Sequence, residues 1–328
     1  MATTKSLNDY LVRRVDPGAT YEQLSEFPRY FEIETVNACN ARCPMCTIDE
    51  WTRQSPVMRD ELFQKISDEI CAHAETVKRV SLYRDGEPLL DKKLPERIAM
   101  LKRGGIREIA ISTNVSLLDE RRATAILEAG LDLIILSIDS LRKDVFESIR
   151  VRLDHDVVMA NAMRFIELRN RLRPSAKIWM RMVRQEANYD EWPAYEQFWR
   201  PRLAPHDRVN YHNIHNWGSQ LKDFHAVHDS FEPTLPCIAL WSLMIIFANG
   251  DVPLCNVDYN NKYPTGDIRE RSIAEVWQSE VMNERRRLHL EGHKGDISLC
   301  VDCNVWDEPP DKAKVAPEFV AAAARDAS

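Results

Sequence analysis

The sequence predicts an α/β protein, an open or partial (β/α) barrel followed by a smaller domain. Three observations carry that expectation. Short runs rich in Ile, Val, Tyr and Leu alternate with helical segments from about residue 29. The helical segments at 60, 91, 119, 154 and 190 all open on Asp, a favoured N-cap or first-turn residue. From about Asn216 the alternation stops, and Pro233, Pro236, Pro253 and Pro264 punctuate the C-terminal part of the chain.

In order, the expected strands are residues 30–36, 79–83, 107–113, 131–138, 177–183 and 208–214. Six strands fall short of the eight of a closed barrel. The helix at 60–77 repeats apolar residues at Leu62, Phe63, Ile66 and Ile70, close to the helical period. Helices at 91–103, 119–129, 154–172 and 190–199 come next, with Gly104 and Gly130 where C-caps belong. Beyond them, 242–247 reads as a short strand and 273–290 as one helix capped by Ser272. The expected division is an extension over 1–28, the barrel over 29–215, a second α+β domain over 216–310 and a tail over 311–328.

Composition narrows the function. Lys and Arg total 44 against 51 Asp and Glu, a net charge of −7, so no basic surface for nucleic acid is expected. At 44% hydrophobic and 29% charged the chain can bury a core. Its longest apolar stretch, residues 239–248, is interrupted by Ser242 and spans about half of what a bilayer requires. The N-terminus lacks the apolar core of a signal peptide. A cytoplasmic protein with no membrane partner is expected, where thiols stay reduced and clustered Cys reads as metal-binding.

The chain has 8 cysteines, and they cluster. Cys39, Cys43 and Cys46 form a C-x3-C-x2-C run directly after the first strand. Three thiolates can wrap one soft metal centre, whereas a structural zinc closes four positions. The alternatives are a [4Fe–4S] cluster with one iron open to a non-protein ligand, or a zinc completed by a distant residue. Cys237, Cys255, Cys300 and Cys303 form a second set, spaced C-x17-C-x44-C-x2-C, with Gly250 between the first two. Four such Cys suit either a structural zinc or a fully ligated cluster.

The run CNARCPMC after a first strand resembles the signature of the radical S-adenosylmethionine (SAM) superfamily. The resemblance implies a partial (β/α)6 barrel and a [4Fe–4S] cluster on Cys39, Cys43 and Cys46 whose open iron is chelated by SAM. It also implies reductive cleavage of SAM to a 5′-deoxyadenosyl radical that abstracts a hydrogen atom. Met45 stands where many members carry an aromatic residue, and as an apolar side chain it can cover the cluster or the adenine. Asp85-Gly86-Glu87-Pro88 resembles the family's Gly-Gly-Glu turn for the SAM amino group, with Asp85 in place of Gly. There Gly86 would allow close backbone approach and Glu87 would pair with the ammonium. Ser112-Thr113-Asn114 resembles the ribose-binding turn, with Val115 in place of Gly. Ser137 and Asp139 fall where the family places polar contacts to SAM, and Arg150 resembles its carboxylate-binding Arg. Each of these residues is equally an ordinary cap or turn residue, and only their shared place at strand ends favours a site.

The second set resembles the auxiliary-cluster domain called SPASM or, shortened, twitch. Four Cys rather than seven imply one additional [4Fe–4S] cluster. Arg181, mid-strand, is expected to face SAM or substrate. Of His212, His215, His225 and His228, one, His212 by preference, is expected in the substrate pocket as binder or proton acceptor. Cys71, on a helix outside the barrel, reads as a buried small hydrophobe rather than a hydrogen-atom donor.

The expected activity is therefore that of a radical SAM oxidoreductase, dehydrogenating a small sugar or aminocyclitol, with the auxiliary cluster accepting an electron. A one-electron reductant of the flavodoxin or ferredoxin type is the implied partner. The alternatives are an epimerase, a maturase of a ribosomal peptide (with only about 30 residues before the barrel disfavouring peptide recognition), and a non-catalytic iron–sulfur electron carrier.

Overall fold

The computed structural model describes residues 4–53, 57–218, 220–221, 235–301, 303 and 305. Its main sheet uses β1 (Tyr30–Ile33), β2 (Arg79–Ser81), β3 (Ile109–Thr113), β4 (Leu133–Ser137), β5 (Lys177–Arg184), β6 (Arg208–Asn213) and β7 (Leu243–Ile246). Their order is β6-β5-β4-β3-β2-β1-β7, and every neighbouring pair from β1 to β6 is parallel. The fold is thus the expected α/β open barrel with one more strand. The sequence pattern places residues 242–247 in the second domain, yet β7 joins this sheet beside β1.

Most strands stop one to three residues before the apolar run ends. After Ile33, for example, the chain leaves the ladder, and Val36 makes only an isolated bridge to Val57. Along β5, Ile178, Met180 and Met182 are buried while Lys177, Trp179, Arg181 and Val183 are half-buried. One face therefore packs under helices, and the other carries polar groups. Because registered residues of parallel strands share a face, the pairings Ser112↔Ile135, Ser137↔Arg181 and Arg181↔Asn210 put Ser112, Ser137, Arg181 and Asn210 on that polar face.

Two of the Asp residues cap as expected. Asp119 accepts from Arg122 N at 2.8 Å and Asp154 from Val157 N at 3.0 Å. Asp190 instead lies within a 3-10 segment, Glu186–Glu191, that precedes the helix Trp192–Trp199. The helix expected at 60–77 ends at Ala72.

The chain divides into two compact units, Tyr30–Ile214 with Ile245–Asp251, and the remainder. In the second unit the expected helix at 273–290 is two, Ile273–Trp277 and Glu280–Leu290, because Ser279 caps the latter through Met282 N. Its core includes the fully buried Trp241 and Trp277. The first residues, expected as a separate extension, belong to this unit: Trp277 Nε1 donates to Leu24 O at 3.0 Å. No described helix is long and apolar enough to cross a membrane.

Candidate functional site

The loop after β1 brings Cys39, Cys43 and Cys46 into each other's electrostatic field. Burial pushes the Cys46 thiol up to about 12, with the charges of Asp85, Cys43 and Cys39 adding to it. Burial raises Cys39 as well, while Ala41 N–H and Arg150 oppose the rise. Two side-chain donors converge on the sulfurs. Asn114 Nδ2 lies 3.8 Å from Cys39 Sγ, and Arg150 Nη1 lies 3.8 Å from Cys43 Sγ. Three thiols, Cys43 buried and Cys39 and Cys46 half-buried, with an amide and a guanidinium aimed at them fit a thiolate-ligated iron–sulfur centre, whose negative charge such donors stabilise.

The strand-end turns dock on this loop, in part differently from expectation. A Cβ on Gly86 would sit 2.3 Å from Val36 O and 2.7 Å from Ala38 O. Glu87 N donates to Ala38 O at 2.8 Å. Gly86 is therefore required for contact between the turn and the Cys loop's backbone. Glu87, expected to face an ammonium, has its carboxylate buried and hydrogen-bonded within the protein. It accepts from Thr113 Oγ1 at 2.7 Å, Asn114 N at 2.8 Å and Leu89 N at 3.0 Å. Burial raises its pKa, and these three donors counter the rise. Its work is to shape the turn that presents Asn114.

Asp139 is engaged in the same way. It is fully buried, accepting from Arg150 Nε at 2.6 Å and Val183 N at 2.7 Å. It orients Arg150. Burial disfavours the Arg150 charge, but Asp139 and Cys43 outweigh it and hold the pKa above its usual value. Ser112 and Ser137 remain on the polar face, with hydroxyls 3.4 Å apart. Met45 is buried.

A network that sequence reasoning missed lies beside the loop. Arg53 forks onto Glu34 at 2.6 and 2.8 Å and reaches Asp85 at 3.3 Å, while Arg84 pairs with Asp85 at 3.0 Å. Arg84 also stands 3.6 Å from Glu32. Asp85 is thus a buried junction between two guanidiniums. The only sequence signal was the departure from Gly at that position.

On the polar face, Arg181 packs its guanidinium 5.7 Å from the Trp179 ring centroid. Burial lowers its pKa, partly offset by Tyr83. Its Nε and the Oδ1 of Asn210, its registered neighbour, are buried without a hydrogen-bond partner. His212, expected in the substrate pocket, is exposed on β6, an edge strand, in register with Val183. His215 accepts from Trp217 N at 3.2 Å, and His225 and His228 lie outside the described residues.

The second Cys set also assembles. Cys237 lies in the field of Cys303 and Cys300, and Cys255 in that of Cys237 and Cys303. Burial pushes Cys237 and Cys300 up to about 12 and raises Cys255 further. The buried Asp258 shapes the turn after Cys255, accepting from Lys262 N at 2.7 Å and Tyr263 N at 2.9 Å. Four thiols in one another's electrostatic field fit a soft-metal centre. Cys71 stands apart, its Sγ only 2.0 Å from where a Cβ on Gly104 would lie, so it is a packing residue.

Comparison with known proteins agrees with this division. The radical SAM superfamily profile matches residues 33–175, and that of an iron–sulfur cluster-binding domain, SPASM, matches residues 237–304. An S-adenosyl-L-methionine-dependent 2-deoxy-scyllo-inosamine dehydrogenase of Niallia circulans is 23% identical over 274 residues, 83% of this chain and 91% of that one. A GTP 3′,8-cyclase of Chlorobaculum tepidum is 36% identical over 125 residues, 38% of this chain and 36% of that one. In fold, the chain resembles BtrN in complex with AdoMet and 2-DOIA, with a TM-score of 0.58 and 21% identity over 84% of this chain and 93% of that one. It likewise resembles anSMEcpe with bound AdoMet, with a TM-score of 0.61 and 16% identity over 91% of this chain and 92% of that one.

Proposed function

The chain belongs to the radical SAM superfamily, with a SPASM-type iron–sulfur domain, and from that premise we propose that it oxidises a small polyhydroxylated substrate of the sugar or aminocyclitol class. Its cofactors are SAM and two [4Fe–4S] clusters. In this reading Cys39, Cys43 and Cys46 hold the first cluster, and Cys237, Cys255, Cys300 and Cys303 hold the auxiliary one. When bound, these groups supply hydrogen-atom abstraction by a 5′-deoxyadenosyl radical and a centre to take the electron that the oxidised substrate gives up.

The chain's own residues divide the remaining work. Arg150, oriented by Asp139, and Asn114, oriented through Glu87, supply N–H donors beside the Cys loop. Ser112 and Ser137 add hydroxyls on the polar face for SAM or substrate. The observation that carries the substrate class is the buried donor and acceptor left unpaired on adjacent strands, Arg181 Nε and Asn210 Oδ1. Such atoms are costly unless a ligand completes them, and a hydroxyl both donates and accepts. The dehydrogenase named above, matched along most of both chains, points the same way.

Anaerobic reconstitution tests the reading. About eight irons per chain are expected from two four-iron clusters. With a flavodoxin- or ferredoxin-type reductant and SAM, 5′-deoxyadenosine should form, and Cys43→Ala should form none. A panel of aminocyclitols, 2-deoxy-scyllo-inosamine among them, should yield a ketone with no second reducing equivalent consumed. Four irons or stoichiometric zinc would sink the two-cluster reading. Solvent deuterium at a substrate carbon, without net oxidation, would replace dehydrogenation by epimerisation.

A further inference from the structure

The helix Glu280–Leu290 buries Met282, Arg286 and His289 along one side. Arg286 fixes it by donating from Nε to Leu240 O and from Nη1 to Trp277 O, both at 2.9 Å. That placement leaves His289, 4% exposed, between two of the cysteines of the second set. Its Nδ1 lies 3.2 Å from the backbone N of Cys237. A backbone N–H can only donate, so Nδ1 must carry the lone pair and the ring proton of the neutral imidazole sits on Nε2. Nε2 in turn lies 3.6 Å from Cys300 Sγ.

We infer that His289 is a positioning residue of the auxiliary cluster: its Nε2–H donates to the Cys300 sulfur while its Nδ1 holds the Cys237 backbone. The inference rests on the reading that Cys237, Cys255, Cys300 and Cys303 ligate that cluster, and it adds a tuning role that the ligand set alone does not contain. Hydrogen bonds to cluster sulfurs help to set the reduction potential. A donor stabilises the more negative, reduced state and so raises the midpoint. A centre that must take an electron from substrate benefits from that direction of shift.

The test is an EPR-monitored potential titration of the reconstituted full-length chain, the His289→Leu variant and the His289→Gln variant. Leu removes the donor and should move the auxiliary midpoint to more negative potential, with about eight irons retained and the three-cysteine cluster's midpoint unmoved. Gln, whose amide can still donate, should restore part of the shift. An unmoved auxiliary midpoint in His289→Leu overturns the inference. So does loss of four irons from that variant, since the ring would then be an iron ligand or a requirement of the fold. Should His289→Leu fail to fold, the parent chain still decides. With 15N-labelled histidine, its reduced auxiliary cluster should show one exchangeable-proton coupling and a weak histidine nitrogen coupling. A strong nitrogen coupling, or none, overturns the inference. A parent chain with only four irons overturns the two-cluster reading beneath it, whereas eight irons with an unmoved midpoint overturns the tuning role alone.

Discussion

Glu87 shows how a motif residue can tie together the turns around it. Its two oxygens serve three donors on two strand-end turns, and one of those donors, Asn114 N, belongs to the residue whose amide faces Cys39. In Glu87→Ala, Thr113, Asn114 and Leu89 each lose an acceptor in a buried place. A stranded buried donor costs about 1–3 kcal/mol, so the variant should lose at least ~2 kcal/mol of stability even after local relaxation. Glu87→Gln keeps one acceptor but turns an amide toward a donor, and it should fall between the two. Urea midpoints of the metal-free proteins would check the order. Equal midpoints for Glu87→Ala and the parent would mean the turn holds itself. The position of Glu87 was legible because its Gly-Glu-Pro turn comes after a strand. Its direction was not, since a carboxylate's partners depend on which neighbouring turn reaches it, and the same holds for Asp139, turned to Arg150.

Within the β3 turn, Val115 adopts φ 70°, a left-handed conformation that β-branched residues avoid. It is held there by Thr113 Oγ1, which accepts from Val115 N at 3.0 Å, and by Asn161 Nδ2, which donates to Val115 O at 3.0 Å. Strain of this kind costs on the order of 1–3 kcal/mol. Val115 is also fully buried, and its side chain returns about 1.5–3 kcal/mol of apolar burial. The two effects nearly cancel, which explains how a valine stands where a glycine would be free of strain. The expected outcome is that neither Val115→Gly nor Val115→Ala stabilises the chain, and that Gly is tolerated at least as well as Ala. Elsewhere Gly is usually the worse of the two by roughly 0.5–1 kcal/mol. Denaturant midpoints of the pair decide it, and Ala clearly above Gly would show the turn to be unstrained. The departure from Gly was visible in the sequence, whereas the grip of Asn161 was not, because that contact spans 46 residues. Helix was legible over 273–290, but its division at Ser279 was not, because Glu280–Leu290 buries Arg286 and His289 and apolar periodicity does not mark where the second helix starts.

At the scale of the whole molecule, periodicity exposed what is local and repeated, namely the βα alternation and the two Cys sets. It could not expose charges buried against distant partners, because those read as solvated residues until the fold brings them together. Arg169 and Asp207 are such a pair, both side chains fully buried. Asp207 accepts from Arg169 at 2.8 and 2.5 Å, from Ile178 N at 2.7 Å and from Ala204 N at 2.8 Å. It thereby joins the helix His155–Leu172 to β5 and to the chain entering β6. Burial by itself would raise the Asp207 pKa, but Arg169 and the two N–H donors override it and hold the carboxyl below its ordinary value of 3.8. A carboxyl with a lower pKa folded than unfolded contributes stability that is fully present above the unfolded value and is lost as pH falls through the folded one. Asp207→Asn removes this titration and leaves Arg169 buried without a counter-charge, which should cost about 3–5 kcal/mol near neutrality. The difference between parent and variant isolates Asp207 from every other acid in the chain. It should stay constant from pH 7 down to about 4 and then shrink by up to ~1.4 kcal/mol per pH unit. Stability curves that run parallel down to pH 3 would show that Asp207 is not the group whose protonation loosens the barrel.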